Sequence, residues 1–247
     1  MRILGVIPAR YASTRFPAKP LVDIAGKSMV QRVYGQATQS PHLTKVVVAT
    51  DDARIMEHVN SFGGAVCLTS ADHPSGTDRC YETLTRQAEA YDYVINIQGD
   101  EPFIDPQQIA LLASLLDGHV QLATLAKKIT DTAALFNPNM VKVVMNKSGE
   151  ALYFSRSPIP HMRNLPEQKW LAGNIHFKHI GMYAYRADVL AQITRLPVSS
   201  LEQAESLEQL RWLENGFRIH VAETKLETLG IDTPEDLEKA LQWLRKK

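Results

Sequence analysis

Cationic and hydroxyl side chains are concentrated in a short segment that follows the first apolar run of the chain. The segment from Arg10 to Leu21 contains two arginines and one lysine, together with Ser13 and Thr14. Arginine binds phosphate oxygens through a planar fork, whereas lysine binds them as a point charge. The glycine spacings of a Walker loop and of a dinucleotide-binding loop are both missing. The segment therefore predicts binding of a polyanion such as a triphosphate, with a solvated surface loop as the plainer alternative.

Two acidic positions are candidates for holding a divalent cation. Asp100 follows the apolar run Tyr93 to Ile97 closely, and Asp232 stands just before Pro234 at the start of a predicted last helix. Carboxylate oxygens are suitable ligands for Mg²⁺, which neutralises charge on phosphate groups. Taken singly, Asp100 fits an ordinary strand-to-helix turn, and Asp232 or Thr233 fits a helix N-cap.

The elements that must position these residues are readable from hydrophobic patterning. Short apolar runs alternate with segments of helical period, which predicts an α/β fold with a parallel sheet covered by helices. The runs are Ile3 to Ile7, Val46 to Ala49, Ala65 to Leu68, Tyr93 to Ile97 and Leu122 to Ala126. Because open α/β sheets bind ligands beyond the carboxyl ends of their strands, the basic segment and Asp100 are expected at one sheet edge.

The second half of the chain lacks the regular alternation of strand and helix patterns seen in the first half. Two apolar runs flank Asn146-Lys147-Ser148-Gly149, which predicts a β-hairpin with Gly149 at positive φ. Residues 157–177 contain three prolines and no sustained period, which is typical of an extended loop or an interface arm. The pattern from about Gln203 to Asn215 predicts one amphipathic helix.

Helix N-caps are predicted at Ser28, at Asp51 or Asp52, and at Thr233.

The segment from Val6 to Leu21, VIPARYASTRFPAKPL, resembles the signature loop of the cytidylyltransferases that activate 3-deoxy-manno-octulosonate (Kdo). Similar motifs follow in the family's order from Val6 to Leu237, nearly the whole chain. Ala18 departs from the pattern, which usually has glycine there; alanine is harmless at negative φ and strained at positive φ. The resemblance implies a three-layer α/β/α sandwich with a mostly parallel, Rossmann-like nucleotidyltransferase sheet. It also implies one domain over residues 1–247, with a β-hairpin dimerisation extension at about 138–180.

The resemblance further implies roles for individual residues. Catalytic roles are expected for Lys19, Asp100 and Asp232, and the two aspartates are expected to bind Mg²⁺. Nucleotide binding is expected at Arg10, Ser13, Arg15, Lys19, Ser75 and Gly76. Sugar binding is expected at Arg79, Gln98, His179, Tyr183, Glu208 and Gln209. Arg156 is expected near the site or at a subunit interface.

Several of these residues also have a plainer interpretation. Ser75 suits a helix cap and Arg79 a surface ion pair, since both occur before or within a helical stretch. A histidine or tyrosine on a strand, such as His179 or Tyr183, is usually packed core. Glu208 fits an exposed helical charge.

The reaction implied by the resemblance joins CTP to the anomeric hydroxyl of Kdo. It yields CMP-Kdo for lipopolysaccharide biosynthesis and pyrophosphate, in a single displacement that needs no protein nucleophile. One alternative is a cytidylyltransferase for another acidic sugar, 8-amino-Kdo or sialic acid. The other is a nucleotide-binding subunit without catalysis, against which the presence of both Asp100 and Asp232 argues.

Composition excludes several other classes. The 247 residues include 27 basic and 27 acidic ones, so no overall field attracts nucleic acid. The two cysteines lack metal-ligand spacing, and no apolar run approaches the ~20 residues of a membrane-spanning helix. We expect a cytoplasmic protein with neither nucleic acid nor membrane as a partner, and the resemblance implies a homodimer with CTP and Kdo as substrates.

Overall fold

A computed structural model of the chain describes residues 1–12, 16–227 and 229–245. The strands in these ranges are β1 (Ile3–Ala9), β2 (Asp23–Ile24), β3 (Lys27–Ser28), β4 (Lys45–Thr50), β5 (Val66–Leu68), β6 (Tyr93–Asn96), β7 (Leu122–Lys128), β8 (Lys142–Met145), β9 (Ala151–Ser155), β10 (Phe177–Arg186) and β11 (Ile219–Glu223). The α-helices are α1 (Met29–Ala37), α2 (Ala53–Ser61), α3 (Gly76–Thr85), α4 (Pro106–Ser114), α5 (Thr132–Phe136), α6 (Ala187–Ile193), α7 (Ser200–Glu205), α8 (Gln209–Glu214) and α9 (Pro234–Leu244). Within the described ranges, none of these helices has the length and apolarity required to cross a bilayer.

The first of two compact units comprises Met1–Ala110 and Glu227–Lys247. Strand β1 pairs in parallel with β6 on one side and with β4 on the other, and β5 pairs in parallel with β4. Apolar residues fill most of β1 because helices cover a parallel sheet, and α1, α2 and α3 contact these strands. The predicted α/β class, with a parallel sheet flanked by helices, is confirmed.

Helix α9 belongs to the same unit although it lies at the far end of the chain. Its apolar residues pack on a small buried core. That core consists of Ile24, Met29, Ile231 and Ala240, with Leu237, Leu241 and Leu244 against it. The predicted N-caps are also present, because Ser28, Asp52 and Thr233 each accept a hydrogen bond from the backbone of the helix that follows.

The second compact unit is Leu111–Leu226. Strand β7 pairs in parallel with β11 and antiparallel with β10, which in turn pairs with β8. Strands β8 and β9 form the predicted hairpin, and Gly149 in its turn has a φ of 75°. The hairpin is confirmed, whereas its role in dimerisation and the single-domain organisation stay predictions.

The prediction of one helix from about Gln203 to Asn215 is wrong. The structure has two short helices, α7 and α8, separated at Ser206, whose φ of 52° is left-handed. A left-handed residue ends an α-helix because the backbone can no longer donate to the carbonyl four residues back. The apolar period continues across the break, so the sequence pattern alone does not reveal it.

Candidate active site

Two adjacent parallel strands deliver the candidate residues to one edge of the first unit. Strands β1 and β6 run side by side, with Val6 opposite Asn96. The chain therefore leaves β1 at Arg10 and leaves β6 at Gln98 on the same side of the sheet. Arg10 is exposed there, and Gln98 is half-buried.

Gly99 holds the β6 exit tightly against β1. A Cβ atom at this position would lie 2.6 Å from the carbonyl oxygen of Pro8, which no other residue could accommodate without moving the backbone. The close approach places Asp100, the next residue, beside the segment that follows β1.

Lys19, Asp100 and Asp232 converge at this edge. The Lys19 ammonium donates to Asp100 Oδ2 at 3.0 Å and to Asp232 Oδ1 at 3.0 Å. The side chains are 15%, 33% and 49% exposed respectively, so the cluster opens to solvent. The backbone N–H of Ile231 also donates to the Asp100 carbonyl oxygen at 2.9 Å, which ties the two acidic segments together. Both carboxylates are therefore within reach of one cation.

The N-cap of α9 is Thr233 and not Asp232. Thr233 accepts from the N–H of Asp236 at 3.3 Å, and the Asp236 carboxylate accepts from the N–H of Thr233 at 3.2 Å. This reciprocal capping box, with Pro234 in the first turn, satisfies the helix terminus. The Asp232 carboxylate accepts from the Lys19 ammonium, and the Asp232 N–H donates to the Asp236 carboxylate at 3.3 Å.

The basic loop is closed at its base by the backbone. The N–H of Ala18 donates to the carbonyl of Tyr11 at 3.1 Å, and Lys19 begins a 3₁₀ turn. The Arg54 guanidinium stacks 3.3 Å from the ring centroid of Tyr11 and is held by Asp52 at 2.6 and 2.9 Å. Two predicted nucleotide-binding residues, Ser13 and Arg15, lie outside the described residues.

Ala18 has a φ of 58°, the left-handed conformation that strains a residue with a Cβ atom. We expect Ala18→Gly to raise the free energy of unfolding by about 0.5–1 kcal/mol, since relief of strain outweighs the added freedom of the unfolded chain. Urea denaturation followed by circular dichroism measures the change. Ala25, with a φ of 51°, offers a matched control, because Ala25→Gly removes the same strain outside the basic loop. A loss of stability at position 18 alongside a gain at position 25 would contradict the assignment.

Ser75 and Gly76, two predicted nucleotide-binding residues, lie at the start of α3. Ser75 is the N-cap of α3 and accepts from the N–H groups of Thr77 and Asp78, as its plainer interpretation proposes. Gly76 has room for a Cβ atom in ordinary contact with Asn96 and Pro8. Neither observation tests the expected contact of Ser75 and Gly76 with the nucleotide.

Arg79 is only 1% exposed, although a surface ion pair was its plainer interpretation. Its guanidinium donates to Asp51 at 3.0 Å and also to Thr69. Sequence reasoning considered Asp51 only as a helix cap, because nothing in the spacing links it to Arg79. A buried arginine needs a carboxylate partner, and that requirement is the signal that could have identified Asp51.

Glu82 is a further residue that sequence reasoning missed. It accepts hydrogen bonds from the N–H of Ser70 at 2.8 Å, from His73, and from Arg86 at 2.5 Å. Burial tends to raise the pKa of its carboxyl, but these bonds outweigh burial and lower the pKa to about 2. The ionised Glu82 therefore braces the segment that leads into Ser75.

Four of the predicted sugar-binding residues belong to the second unit. His179 and Tyr183 are on β10, with their ring centroids 5.2 Å apart, and Tyr183 packs edge-on against Trp212 at 5.1 Å. Glu208 precedes α8 and Gln209 begins it. Burial, Tyr185 and Glu208 together hold the pKa of Tyr183 well above its usual value, so its hydroxyl keeps its proton.

A β-bulge on β10 modifies the alternation that the sequence suggested. The pairing with β7 shifts between Ile180 and Tyr183, so that two extra residues are inserted on β10. An even number of extra residues preserves the parity of the strand, and His179 and Tyr183 therefore still share a face.

The environment of His179 determines its charge. Its Nε2 lies 3.0 Å from the hydroxyl of Thr124, and its ring packs edge-on against Phe154. Burial lowers the pKa of the imidazole to about 3. His179 is therefore neutral near pH 7 and can act as a hydrogen-bonding group but not as a cation.

Among residues 1–12, 16–227 and 229–245, no group of three or more His, Cys, Asp or Glu side chains is placed to hold a metal. Magnesium in phosphate-transfer sites is commonly held by one or two carboxylates plus waters and phosphate oxygens. The Asp100 and Asp232 pair fits that pattern, and the Lys19 ammonium between them shows that the pair accepts a cation.

A parallel α/β unit with a basic loop and paired carboxylates at the carboxyl edge of its strands defines a nucleotidyltransferase type of site. A profile of the family described as cytidylyltransferase matches residues 4–219. The 3-deoxy-manno-octulosonate cytidylyltransferase of Cytophaga hutchinsonii is 60% identical over 95% of this chain and 94% of its own. The enzyme of the same name from Parabacteroides distasonis is 57% identical over 99% of this chain and 98% of its own.

Solved structures agree with the sequence relatives. A CMP:2-keto-3-deoxy-manno-octonic acid synthetase complexed with CTP superposes with a TM-score of 0.92 at 44% identity, covering 100% of this chain and 99% of that one. The 4-diphosphocytidyl-2C-methyl-D-erythritol synthase of Anaerococcus prevotii reaches a TM-score of 0.66 at 12% identity, covering 99% and 96%, and shares the fold alone. The chain belongs to the cytidylyltransferase family, in its 3-deoxy-manno-octulosonate cytidylyltransferase branch.

Proposed function

We propose that this protein transfers the cytidylyl group of CTP to the anomeric hydroxyl of Kdo, which gives CMP-Kdo and pyrophosphate for lipopolysaccharide biosynthesis. The relatives named for this activity are similar over nearly the whole chain. The observation that carries the proposal is the convergence of Asp100 and Asp232 on the ammonium of Lys19, 3.0 Å from each. That juxtaposition suits a site for a triphosphate and its counter-cation.

In the proposed mechanism, positively charged side chains bind and orient the nucleotide. Arg10 and Lys19, which flank the basic loop, would pair with phosphate oxygens and stabilise the departing pyrophosphate. Ser13 and Arg15 are expected to assist them. No protein nucleophile is needed, because the sugar hydroxyl oxygen would attack the α-phosphorus in line as the bond to pyrophosphate breaks, with the hydroxyl proton released to solvent.

Asp100 and Asp232 would hold Mg²⁺ at the same edge. When bound, Mg²⁺ supplies neutralisation of the negative charge on the phosphoryl oxygens that the sugar hydroxyl must approach. Gly99 sets the position of Asp100 through its close approach to Pro8, and the capping box at Thr233 sets the position of Asp232. Backbone contacts beside both residues therefore help to position the two carboxylates.

On the sugar side, neutral groups would recognise hydroxyls. His179 is uncharged and Tyr183 keeps its proton, so both suit hydrogen bonds to an uncharged part of Kdo. Glu208 and Gln209 are proposed to contact further sugar hydroxyls. Gln98 is proposed to bind the sugar near its carboxylate. The guanidinium of Arg79 is already bonded to Asp51 and Thr69. These contacts favour a role in positioning α3 over direct contact with the sugar carboxylate.

We propose a cytoplasmic homodimer that joins through the second unit. The support is an apolar groove of about 380 Å³ beside the hairpin, with Leu152 exposed nearby in sequence. The groove is lined by Val144, Met145, Pro160, Asn174, Ile175 and Phe177. Arg156 makes its hydrogen bonds to Glu205, Ser206 and Pro138 within the same unit, which favours a structural role there.

The alternatives have less support. The relatives carry the name of the Kdo enzyme, which does not favour 8-amino-Kdo or sialic acid as the substrate. A non-catalytic nucleotide-binding subunit would have no use for two converging carboxylates beside a phosphate loop. Neither nucleic acid nor a membrane is part of the proposal.

A substrate panel tests the proposed reaction. We expect pyrophosphate release from CTP with Kdo and Mg²⁺, and its loss when EDTA removes the cation, because without it the negative carboxylates of Asp100 and Asp232 repel the triphosphate. UTP, sialic acid and 8-amino-Kdo complete the panel, and excess Mg²⁺ added after EDTA should restore the rate. Faster release with sialic acid or 8-amino-Kdo would replace the proposed sugar, and full activity in EDTA would contradict the metal's role.

A further inference from the structure

Lys19 forms an ion pair with both carboxylates of the candidate metal site at once. Its ammonium lies 3.0 Å from Asp100 Oδ2 and 3.0 Å from Asp232 Oδ1, and the lysine side chain is the most buried of the three. Two carboxylates brought to one point repel each other, and the ammonium offsets half of their combined charge. Lysine thus stabilises the arrangement that a divalent cation would need.

The backbone at Lys19 is anchored while its side chain remains adaptable. The N–H of Lys19 donates to the carbonyl of Phe16 at 3.3 Å, and the carbonyl of Lys19 accepts from Val22 at 3.2 Å. The following residue, Pro20, is buried. The ammonium ends a flexible four-carbon stem, so it can change partner without movement of the turn.

A divalent cation and the ammonium would draw on the same carboxylate oxygens. Magnesium binds carboxylate oxygens at about 2.0–2.1 Å in strict octahedral geometry, which leaves little tolerance for a second cation hydrogen-bonded to those oxygens. We infer that Lys19 is a placeholder: its ammonium keeps Asp100 and Asp232 together before the divalent cation binds, and then moves to form an ion pair with the triphosphate. This inference rests on the proposed function of the site.

The exchange couples nucleotide and metal binding. In the protein without nucleotide, the ammonium competes with the metal for the carboxylates. A triphosphate offers the ammonium a new anionic partner, so CTP should strengthen metal binding, and by linkage the metal should strengthen CTP binding. Without the lysine charge, this part of the coupling disappears.

Metal binding to the nucleotide-free protein tests the inference independently of activity. Mn²⁺ titration followed by electron paramagnetic resonance measures free metal directly. We expect Lys19→Met to bind Mn²⁺ about 5- to 50-fold more tightly than the unaltered protein, within the range of site-to-site couplings. The same substitution should abolish most cytidylyl transfer, so the two readouts move in opposite directions.

Matched variants separate competition from general charge effects. Lys45→Met removes the same charge at the amino end of β4, the opposite edge of the sheet, and should leave Mn²⁺ affinity within about twofold. Lys19→Met combined with Asp100→Asn should lose the gain. Lys19→Gln serves as a second neutral variant if the methionine variant fails to fold, as judged by circular dichroism.

The outcomes distinguish this inference from the proposed function. Equal or weaker Mn²⁺ binding by the neutral variants, or no detectable binding by any of them, overturns the placeholder role even if the unaltered protein makes CMP-Kdo. Failure of the substrate panel overturns the proposed function, whereas the Mn²⁺ titration would still report whether Lys19 and a divalent cation compete.

Discussion

Asp100→Asn is expected to lower kcat roughly 10²- to 10³-fold, because it removes one of two charges that hold the divalent cation against the phosphates. The protein should fold normally. Asp100 is one-third exposed, the Gly99–Pro8 approach and the Ile231–Asp100 hydrogen bond involve backbone atoms, and a partly exposed ion pair contributes about 0–1 kcal/mol. Pyrophosphate release at saturating CTP and Kdo measures kcat, and urea denaturation measures stability.

The same substitution five residues away is a suitable control for this prediction. Asp105 accepts a hydrogen bond from the N–H of Gln107 at 2.8 Å, and asparagine serves that role equally well. Asp105→Asn should therefore leave kcat and the free energy of unfolding nearly unchanged. Near-normal turnover by Asp100→Asn would show that the carboxylate pair does not act on the phosphates, even if the sugar substrate is correct.

The meeting of Lys19 and Asp100 at one edge of the sheet could be predicted from the sequence because two simple rules apply there. Apolar runs mark the strands β1 and β6, and the carboxyl ends of parallel neighbours meet at one edge, so Lys19 and Asp100 were expected together. Asp232 was placed there only through the family resemblance, since no local pattern links it to Asp100 across more than a hundred residues. The structure joins them through the N–H of Ile231 and the carbonyl of Asp100.

Features that depend on single backbone torsions were not predictable. Ser206 interrupts a continuous apolar period with a left-handed φ, which the residue type does not favour. Ala18 was recognised as a departure from the family pattern, but only the structure gives the sign of its φ. The sequence also did not predict which buried polar groups pair over long distances in the chain. The ion pair of Arg79 with Asp51 is the clearest case.

Lys142, the first residue of β8, is a second buried cation. Its side chain is fully buried, and its Nζ donates to the carbonyl oxygens of Asn137, Met140 and Arg156 at 3.0, 2.7 and 2.5 Å. Burial lowers the pKa of this amine, with a smaller opposing effect from Glu205. Three donors matched to three carbonyls join the segment before β8 to the chain leaving β9.

Lys142→Met is expected to lower the free energy of unfolding by about 2–4 kcal/mol, since the methionine fills the space but leaves three partly buried carbonyl oxygens without their donor. Thermal and urea denaturation monitored by circular dichroism measure the loss. Lys147→Met makes the same change on the exposed hairpin turn and should stay within about 0.5 kcal/mol of the unaltered protein. Equal stabilities of the two variants would mean that the carbonyls find other partners. A selective loss at position 142 would establish that one buried amine holds the base of the hairpin, the element proposed to join two subunits.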